Sequence, residues 1–125
     1  MSALGQRVWV LPGGLIPWPT HGEEPEFTGF DQLCILNTGD EAAEVTATIY
    51  YEDDEPAGPY RWTVGACRVR HVRFNDLVDP AAVRLGRPFG CVVRCQVPVV
   101  VQFVRQDTRI PGGLALMTTM AFPAS

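Results

Sequence analysis

Residues 44–52, Glu-Val-Thr-Ala-Thr-Ile-Tyr-Tyr-Glu, alternate polar and apolar side chains with the period of two that is typical of a half-buried strand. In such a strand Val45, Ala47, Ile49 and Tyr51 share one face. Similar short apolar runs recur about every ten residues and are separated by Gly, Pro, Asn and Asp, whereas helical periodicity is nearly absent. The sequence therefore predicts an all-β fold.

The chain has 125 residues, of which 46% are hydrophobic and 19% are charged, and this predicts one folded domain over residues 1–125. About eight strands are predicted, and their spacing fits a two-sheet β-sandwich of jelly-roll type better than a closed barrel. The Pro- and Gly-rich segment 12–30 is too long for a simple hairpin, and loops of that length often carry function. The predicted strands span residues 7–11, 31–37, 44–52, 60–64, 67–74, 89–95, 97–105 and 114–122.

The cellular location and the state of the cysteines follow from simple features of the sequence. No segment approaches the roughly 20 apolar residues of a membrane helix, and the first residues lack a signal-peptide pattern, so a cytoplasmic protein is expected. Cys91 and Cys95 lie four residues apart in a predicted strand, roughly 13 Å from each other, which does not suit a shared disulfide or metal ion. We expect buried free thiols at Cys34, Cys67, Cys91 and Cys95, with no metal and no cofactor.

Charged residues are segregated along the chain. Residues 1–60 hold one Arg against eleven acidic residues, residues 61–109 hold nine Arg against three Asp, and there is no Lys. The planar guanidinium group suits carboxylate, phosphate or sugar-hydroxyl recognition, although ordinary surface pairs or contacts between subunits would also use these charges. The pI of about 5.0 and the absence of Lys argue against nucleic acid as a partner.

Common catalytic patterns are not supported by the sequence. The only serines, Ser2 and Ser125, lie at the chain ends, which argues against a serine triad. Each cysteine lies among apolar neighbours that disfavour a reactive thiolate. The Gly pairs 13–14 and 112–113 lack the spacing of phosphate-binding loops. A non-enzymatic protein is therefore expected, with an enzyme of unknown reaction as the weaker alternative.

Several polar side chains lie within otherwise apolar strands. In the predicted strand 67–74 the apolar phase slips beside Arg70 and His71, which predicts an inward polar residue or a β-bulge at a place where sites often lie. Two interpretations stay open: ion pairs that hold the structure together, or a pocket in which a ligand completes the hydrogen bonds. An aromatic wall could come from Trp9, Trp18, Tyr60 or Trp62. The polar set is His71, Arg73, Asn75, Gln102, Arg105 and Asp107.

The near-continuous apolar run at residues 97–105 predicts burial on both faces, one against the core and the other against a neighbouring subunit.

Several segments together resemble one family over nearly the whole chain, the sensory rhodopsin transducer family. The longest and most unusual matches are His-Val-Arg-Phe-Asn-Asp-Leu at 71–77 and the stretch from Val97 to Asp107. The other matching segments are Trp9 with Ile16-Pro17, residues 34–37 and 39–41, 49–51, 55–56 and 58–61, Asp79-Pro80, and Arg109.

The resemblance implies a small β-sandwich that assembles as a homotetramer. It implies a domain that is not an enzyme, that binds a small polar metabolite, sugar-like or anionic, and that acts as an oligomeric sensor or signalling component. The alternative is a soluble adaptor that docks a membrane photoreceptor or a regulatory protein and has no ligand pocket. The ligand-binding positions that the resemblance implies are Trp9, His71, Arg73, Asn75, Gln102, Arg105 and Asp107.

Three positions depart from the family's pattern. Gly13 stands where an acidic residue is expected, Arg94 where an acidic or amide residue is usual, and Phe103 where a His is expected. If these positions line the pocket, its ligand has changed or been lost.

Overall fold

A computed structural model describes residues 3–125, so Ser2 lies outside the described residues. It contains eight strands and one 3-10 turn, Phe74–Asp76, which confirms the all-β prediction. Within residues 3–125, no helix is long and apolar enough to cross a membrane. The strands are β1 (Gln6–Leu15), β2 (Phe30–Asn37), β3 (Ala43–Tyr51), β4 (Ala57–Val64), β5 (Arg68–Arg73), β6 (Pro88–Asp107), β7 (Ala115–Met120) and β8 (Phe122–Pro123).

The strands are antiparallel and are organised by β6, which is 20 residues long. Residues 88–95 of β6 pair with β1 and β3, and residues 100–107 pair with β2 and β7. The edges are formed by β4 beside β3, β5 beside β2, β7 beside β6, and β8 beside β1. The two halves of the sheet contribute to one hydrophobic core. The jelly-roll connectivity stays a prediction.

The core is built by the alternation that the sequence predicts. Val45, Ala47 and Ile49 of β3 are buried, while the residues between them are more exposed. The buried side chains of β2 and β6 complete the core from the other half of the sheet, and each buried aliphatic side chain contributes roughly 1.5–3 kcal/mol to stability. These side chains are Leu33, Ile35, Val101 and Phe103, while Val93 and Val99 of β6 add to the core beside β1 and β3.

The predicted break between residues 95 and 97 is wrong, because β6 runs through it. Pro98 lies where the strand changes partners, between Cys95, which pairs with Val45, and Val99, which pairs with Gln6. Proline is tolerated at such a place because it has no N–H to give to a regular ladder. The eighth strand is instead the short β8, which follows β7.

Of the two alternatives predicted for β5, the β-bulge is wrong; the inward polar residue is Arg70, which lies on the same face as the buried Ile35 but stays exposed at the edge. β5 pairs with β2 in unbroken register from Arg73 opposite Gln32 to Arg68 opposite Asn37. All residues of β5 are exposed or only partly buried, since it is an edge strand. The slip in its apolar pattern therefore removes little apolar surface from the core.

The four cysteines are free thiols. Cys34 and Cys91 are buried as predicted, and burial raises the pKa of the Cys91 thiol to about 12. Cys95 is partly buried. The prediction is wrong for Cys67, which is exposed in a left-handed turn before β5 with a φ of 53°.

Candidate functional site

The structure separates the predicted site residues into several places. Only His71, Arg73 and Asn75 are neighbours along one ridge, formed by β5 and the 3-10 turn after it. The other four, Trp9, Gln102, Arg105 and Asp107, lie on β1 and β6 and have different surroundings.

Trp9 belongs to the core. Its side chain is buried, and its Nε1 donates hydrogen bonds to the backbone oxygens of Val99 at 2.9 Å and Gln6 at 3.1 Å. These bonds satisfy the indole within the fold and hold β1 against β6. Trp9 thus has a structural role that needs no ligand.

Arg105 is held by an ion pair with Asp31. Its Nε lies 2.8 Å from Asp31 Oδ1 and its Nη2 lies 3.0 Å from Asp31 Oδ2, while Nη2 also donates to the oxygen of Gly13 at 2.9 Å. The backbone N–H of Leu15 donates to the same carboxylate. Burial nevertheless raises the pKa of Asp31, against the opposing effect of Arg105. This pair matches the structural interpretation, because the two side chains satisfy each other.

Asp107 and Gln102 lie apart from this ion pair. Asp107 accepts hydrogen bonds from Arg109, the shortest 2.6 Å long, and these bonds hold the pKa of Asp107 below its ordinary value. Gln102 lies directly across from Cys34 and Met120, so the three side chains share the face of the sheet that points away from the core.

The segment between β1 and β2 is a tethered loop. The side chain of Gln106 donates to the backbone oxygens of Glu26 and Thr28, at 2.7 and 2.9 Å. Arg73 Nη1 donates to the oxygen of Pro25 at 3.0 Å, and Asn75 Nδ2 donates to the oxygen of Gly29 at 3.1 Å. Four side-chain bonds therefore hold the loop over the end of β5.

A hollow of about 270 Å³ lies between this loop and the 3-10 turn, and we call it the loop hollow. Besides its tethering bond, Asn75 has a buried Oδ1 with no hydrogen-bond partner among residues 3–125. The ring of Phe30 supports the guanidinium of Arg73 from 4.2 Å. The side chains that matter chemically around the hollow are Trp18, Thr20, Glu24, Arg73, Asn75 and Asp76.

The aromatic side chain of the loop hollow and one of its two carboxylates, Glu24, come from the loop itself, whereas Asp76 comes from the 3-10 turn. Trp18 was one of four aromatic candidates in the sequence, and it is Trp18 rather than Trp9 that borders Arg73 and Asn75. Sequence reasoning did not identify Thr20, Glu24 or Asp76. The length of the loop was the signal available for the first two.

His71 lies on the other side of Arg73. It borders a second cavity, of about 330 Å³, between the edge strands β4 and β5, and Arg73 borders both cavities. Within residues 3–125, no three His, Cys, Asp or Glu side chains converge in a way that could hold a metal ion.

The three positions that depart from the family pattern are not among the residues that line the loop hollow. Gly13 and Phe103 border an apolar groove of about 420 Å³ beside β7 and β8. Arg94 is exposed on β6. These departures thus lie outside the lining of the loop hollow.

Comparison with known proteins agrees with the sequence motifs. The family described as Anabaena sensory rhodopsin transducer matches residues 4–123. The structure of the Anabaena sensory rhodopsin transducer is 50% identical, with 82% of this chain and 98% of that chain covered and a TM-score of 0.75. The crystal structure of Thermotoga maritima 1070 is 30% identical, with 94% of each chain covered and a TM-score of 0.79. No curated protein matches the chain significantly. The chain therefore belongs to the sensory rhodopsin transducer family.

Proposed function

We propose that this chain is a non-enzymatic, cytoplasmic signalling domain that binds a small polar metabolite in the loop hollow. The observation that carries the proposal is the buried, unpartnered Oδ1 of Asn75 beside Arg73. Buried polar atoms are rarely left without a partner, and a ligand hydroxyl would supply the missing donor.

The composition of the loop hollow favours a sugar-like ligand. Trp18 is 53% exposed and offers a flat apolar surface to a sugar ring. The carboxylates of Glu24 and Asp76 can accept hydrogen bonds from hydroxyl groups, and the guanidinium of Arg73 can donate them. One apolar wall with a few converging polar groups is the usual composition of a small-molecule site.

Thermal-shift measurements with a panel of sugars and organic acids test this proposal. A ligand that binds only the native state raises the melting temperature, by an amount that follows its concentration relative to its Kd. We expect Trp18→Ala to abolish the shift. Phe27→Ala is the matched control, because Phe27 lies in the same loop, is 54% exposed, and does not line the loop hollow.

Arg73→Ala is a second variant and should also lose the shift, although it removes a loop tether as well. A panel in which no compound shifts the wild-type protein would remove the support for a ligand site. A shift that Trp18→Ala and Phe27→Ala reduce equally would place the ligand elsewhere.

The proposal includes assembly as a homotetramer. All six residues of β7 are exposed, and β7 pairs only with β6 among the described strands. Residues 110–125 carry no charge, although an unprotected edge strand normally carries charges that prevent pairing with other chains. Light scattering should give four times the subunit mass, and a mass equal to one subunit would contradict assembly.

A second candidate function is an adaptor that docks a membrane photoreceptor. The same exposed apolar segment favours it, together with the 50% identity to the Anabaena sensory rhodopsin transducer. Titration of the protein against a microbial sensory rhodopsin in lipid nanodiscs would detect this binding. Leu116→Lys, on β7, should weaken it, whereas Val78→Lys, at an equally exposed apolar residue in a loop, should not.

A further inference from the structure

The cavity between β4 and β5, which we call the arginine cleft, is lined by three arginines. β4 contributes Arg61, and β5 contributes Arg70 and Arg73. His71, Gln32 and Trp62 also line the cleft, and Asp76 is the only acidic residue among its lining residues. The volume of about 330 Å³ is enough for a small anionic molecule.

These three arginines differ from the three on the chain that form ion pairs, and within residues 3–125 Arg7, Arg68, Arg87 and Arg94 form none either. Arg84, Arg105 and Arg109 each form an ion pair, with Asp54, Asp31 and Asp107. Within residues 3–125, no ion pair involves Arg61, Arg70 or Arg73. Like charges that line one cavity repel each other, and an anion placed between them removes that repulsion.

Two of the guanidinium groups are held in position by the fold. Arg70 Nη1 donates to the oxygen of Thr63 at 2.9 Å, and Arg73 Nη1 donates to the oxygen of Pro25 at 3.0 Å. Each guanidinium has five N–H groups, so most of the donors of each group stay available to a ligand. Donors that are fixed before binding lose little conformational freedom when the ligand arrives.

Trp62 also lines the cleft, and its indole nitrogen is shielded from solvent. Its side chain is 8% exposed, and its Nε1 has no hydrogen-bond partner among residues 3–125. An indole N–H can only donate, so its missing partner must be an acceptor. Phosphate oxygens are such acceptors, and Arg binds them in a bidentate manner.

We infer that the arginine cleft binds the phosphoryl group of a small phosphorylated metabolite. The inference deepens the proposed metabolite-binding function and rests on it for the rest of the ligand, because Arg73 and Asp76 border both the cleft and the loop hollow. Arginines can also lie on edge strands simply to prevent pairing with other chains. That role would not explain the cavity or the unpaired buried donor beside them.

The test is a titration of the full chain with inorganic phosphate at constant ionic strength, followed by two-dimensional ¹H–¹⁵N NMR. The resonance of the Trp62 indole N–H should move with saturation as phosphate is added. Sodium chloride at matched ionic strength should leave it in place. Equal movement with both salts would overturn the inference, because it would indicate general screening of charge.

Variants assign the effect to the arginine cleft. Arg61→Gln and Arg70→Gln should each weaken phosphate binding roughly tenfold or more, as expected for the loss of a charged hydrogen-bond donor. Arg68→Gln is the matched control, because Arg68 is exposed on the same strand and does not line the cleft. Arg61 makes no ion pair within residues 3–125, so Arg61→Gln should fold normally even if Arg70→Gln does not.

The outcomes separate this inference from the proposed function. In one outcome a neutral sugar raises the melting temperature, Trp18→Ala abolishes that shift, and phosphate leaves the Trp62 resonance in place. The proposed function then stands and the phosphate site is refuted. If phosphate moves the Trp62 resonance while no sugar or acid shifts the melting temperature, the phosphate site stands and the loop hollow is refuted. Equal weakening by Arg68→Gln would refute the site in favour of diffuse attraction.

Discussion

Arg105 and Asp31 form a two-bonded ion pair that joins β6 to β2, and the backbone of β1 completes it through Gly13 and Leu15. The Asp31 side chain is fully buried, whereas that of Arg105 is 20% exposed. The pair therefore joins three strands at the margin of the core, and its charges are already balanced.

Breaking this pair should be costly. We expect Arg105→Leu to lower the free energy of unfolding by about 3–5 kcal/mol, because it leaves the buried carboxylate of Asp31 without its partner. Urea unfolding measures the change. Arg109→Leu is the control, since it removes the more exposed pair with Asp107 and should have a much smaller effect. Equal effects of the two substitutions would contradict a structural role for Arg105.

The pKa of Asp31 should lie above the ordinary value of 3.8, and the pKa of Asp107 should lie below it. Burial raises the pKa of Asp31, so its contribution to the free energy of unfolding should fall as the pH rises from 3.8 to its folded-state pKa. The bonds from Arg109 lower the pKa of Asp107, so its contribution is present above 3.8 and is lost as the pH falls through its folded-state pKa. Carboxyl ¹³C NMR measures both, and an Asp31 that titrates below Asp107 would contradict the assignment.

Trp9→Phe should affect stability but not ligand binding. The substitution removes the indole N–H that donates to the backbone oxygens of Val99 and Gln6, so we expect a loss of about 0.5–1.5 kcal/mol in the free energy of unfolding. Ligand-induced thermal shifts should keep their size. A variant of normal stability that no longer responds to ligand would instead place Trp9 in the binding site.

The cysteines should differ in reactivity. Cys67 is exposed and should be the first thiol to react with iodoacetamide at pH 8. Cys91 should react only after unfolding, because it is buried and its pKa is raised to about 12. Mass spectrometry of labelled peptides identifies the sites, and Cys67→Ser should remove the fast reaction. Rapid labelling of Cys91 in the native protein would show that the core opens locally.

Local patterns in the sequence were sufficient for the strands whose two faces differ in burial. Val45, Ala47 and Ile49 predicted the buried face of β3 because the period of two is a property of one strand alone. Pro98 was misleading, because its effect depends on where β6 changes partners, which only the tertiary structure decides. The phase slip near Arg70 marks an inward polar residue rather than a β-bulge, and an edge strand tolerates it because it does not require strict alternation.

The candidate site was predicted only in part. His71, Arg73 and Asn75 were identified from the phase slip and the family resemblance, and they stay close in space because they follow each other along β5 and the turn after it. Arg105 instead forms a structural ion pair, which was the other interpretation of the polar set. The sequence did not identify its partner, because Asp31 lies 74 residues away. Glu24 could not be assigned, because the tethers that bring its loop to β5 come from strands distant in sequence.

The 20-residue strand β6 ties the stability of the two halves of the molecule together. Neither half can lose β6 without exposing the inner surface of the other, so neither can unravel alone at low cost. Slow amide exchange should accordingly require a single concerted opening in both halves. A ligand bound at one edge of the sheet would then slow amide exchange at the opposite edge as well. The domain would respond to the ligand by becoming more stable throughout, with no hinge motion.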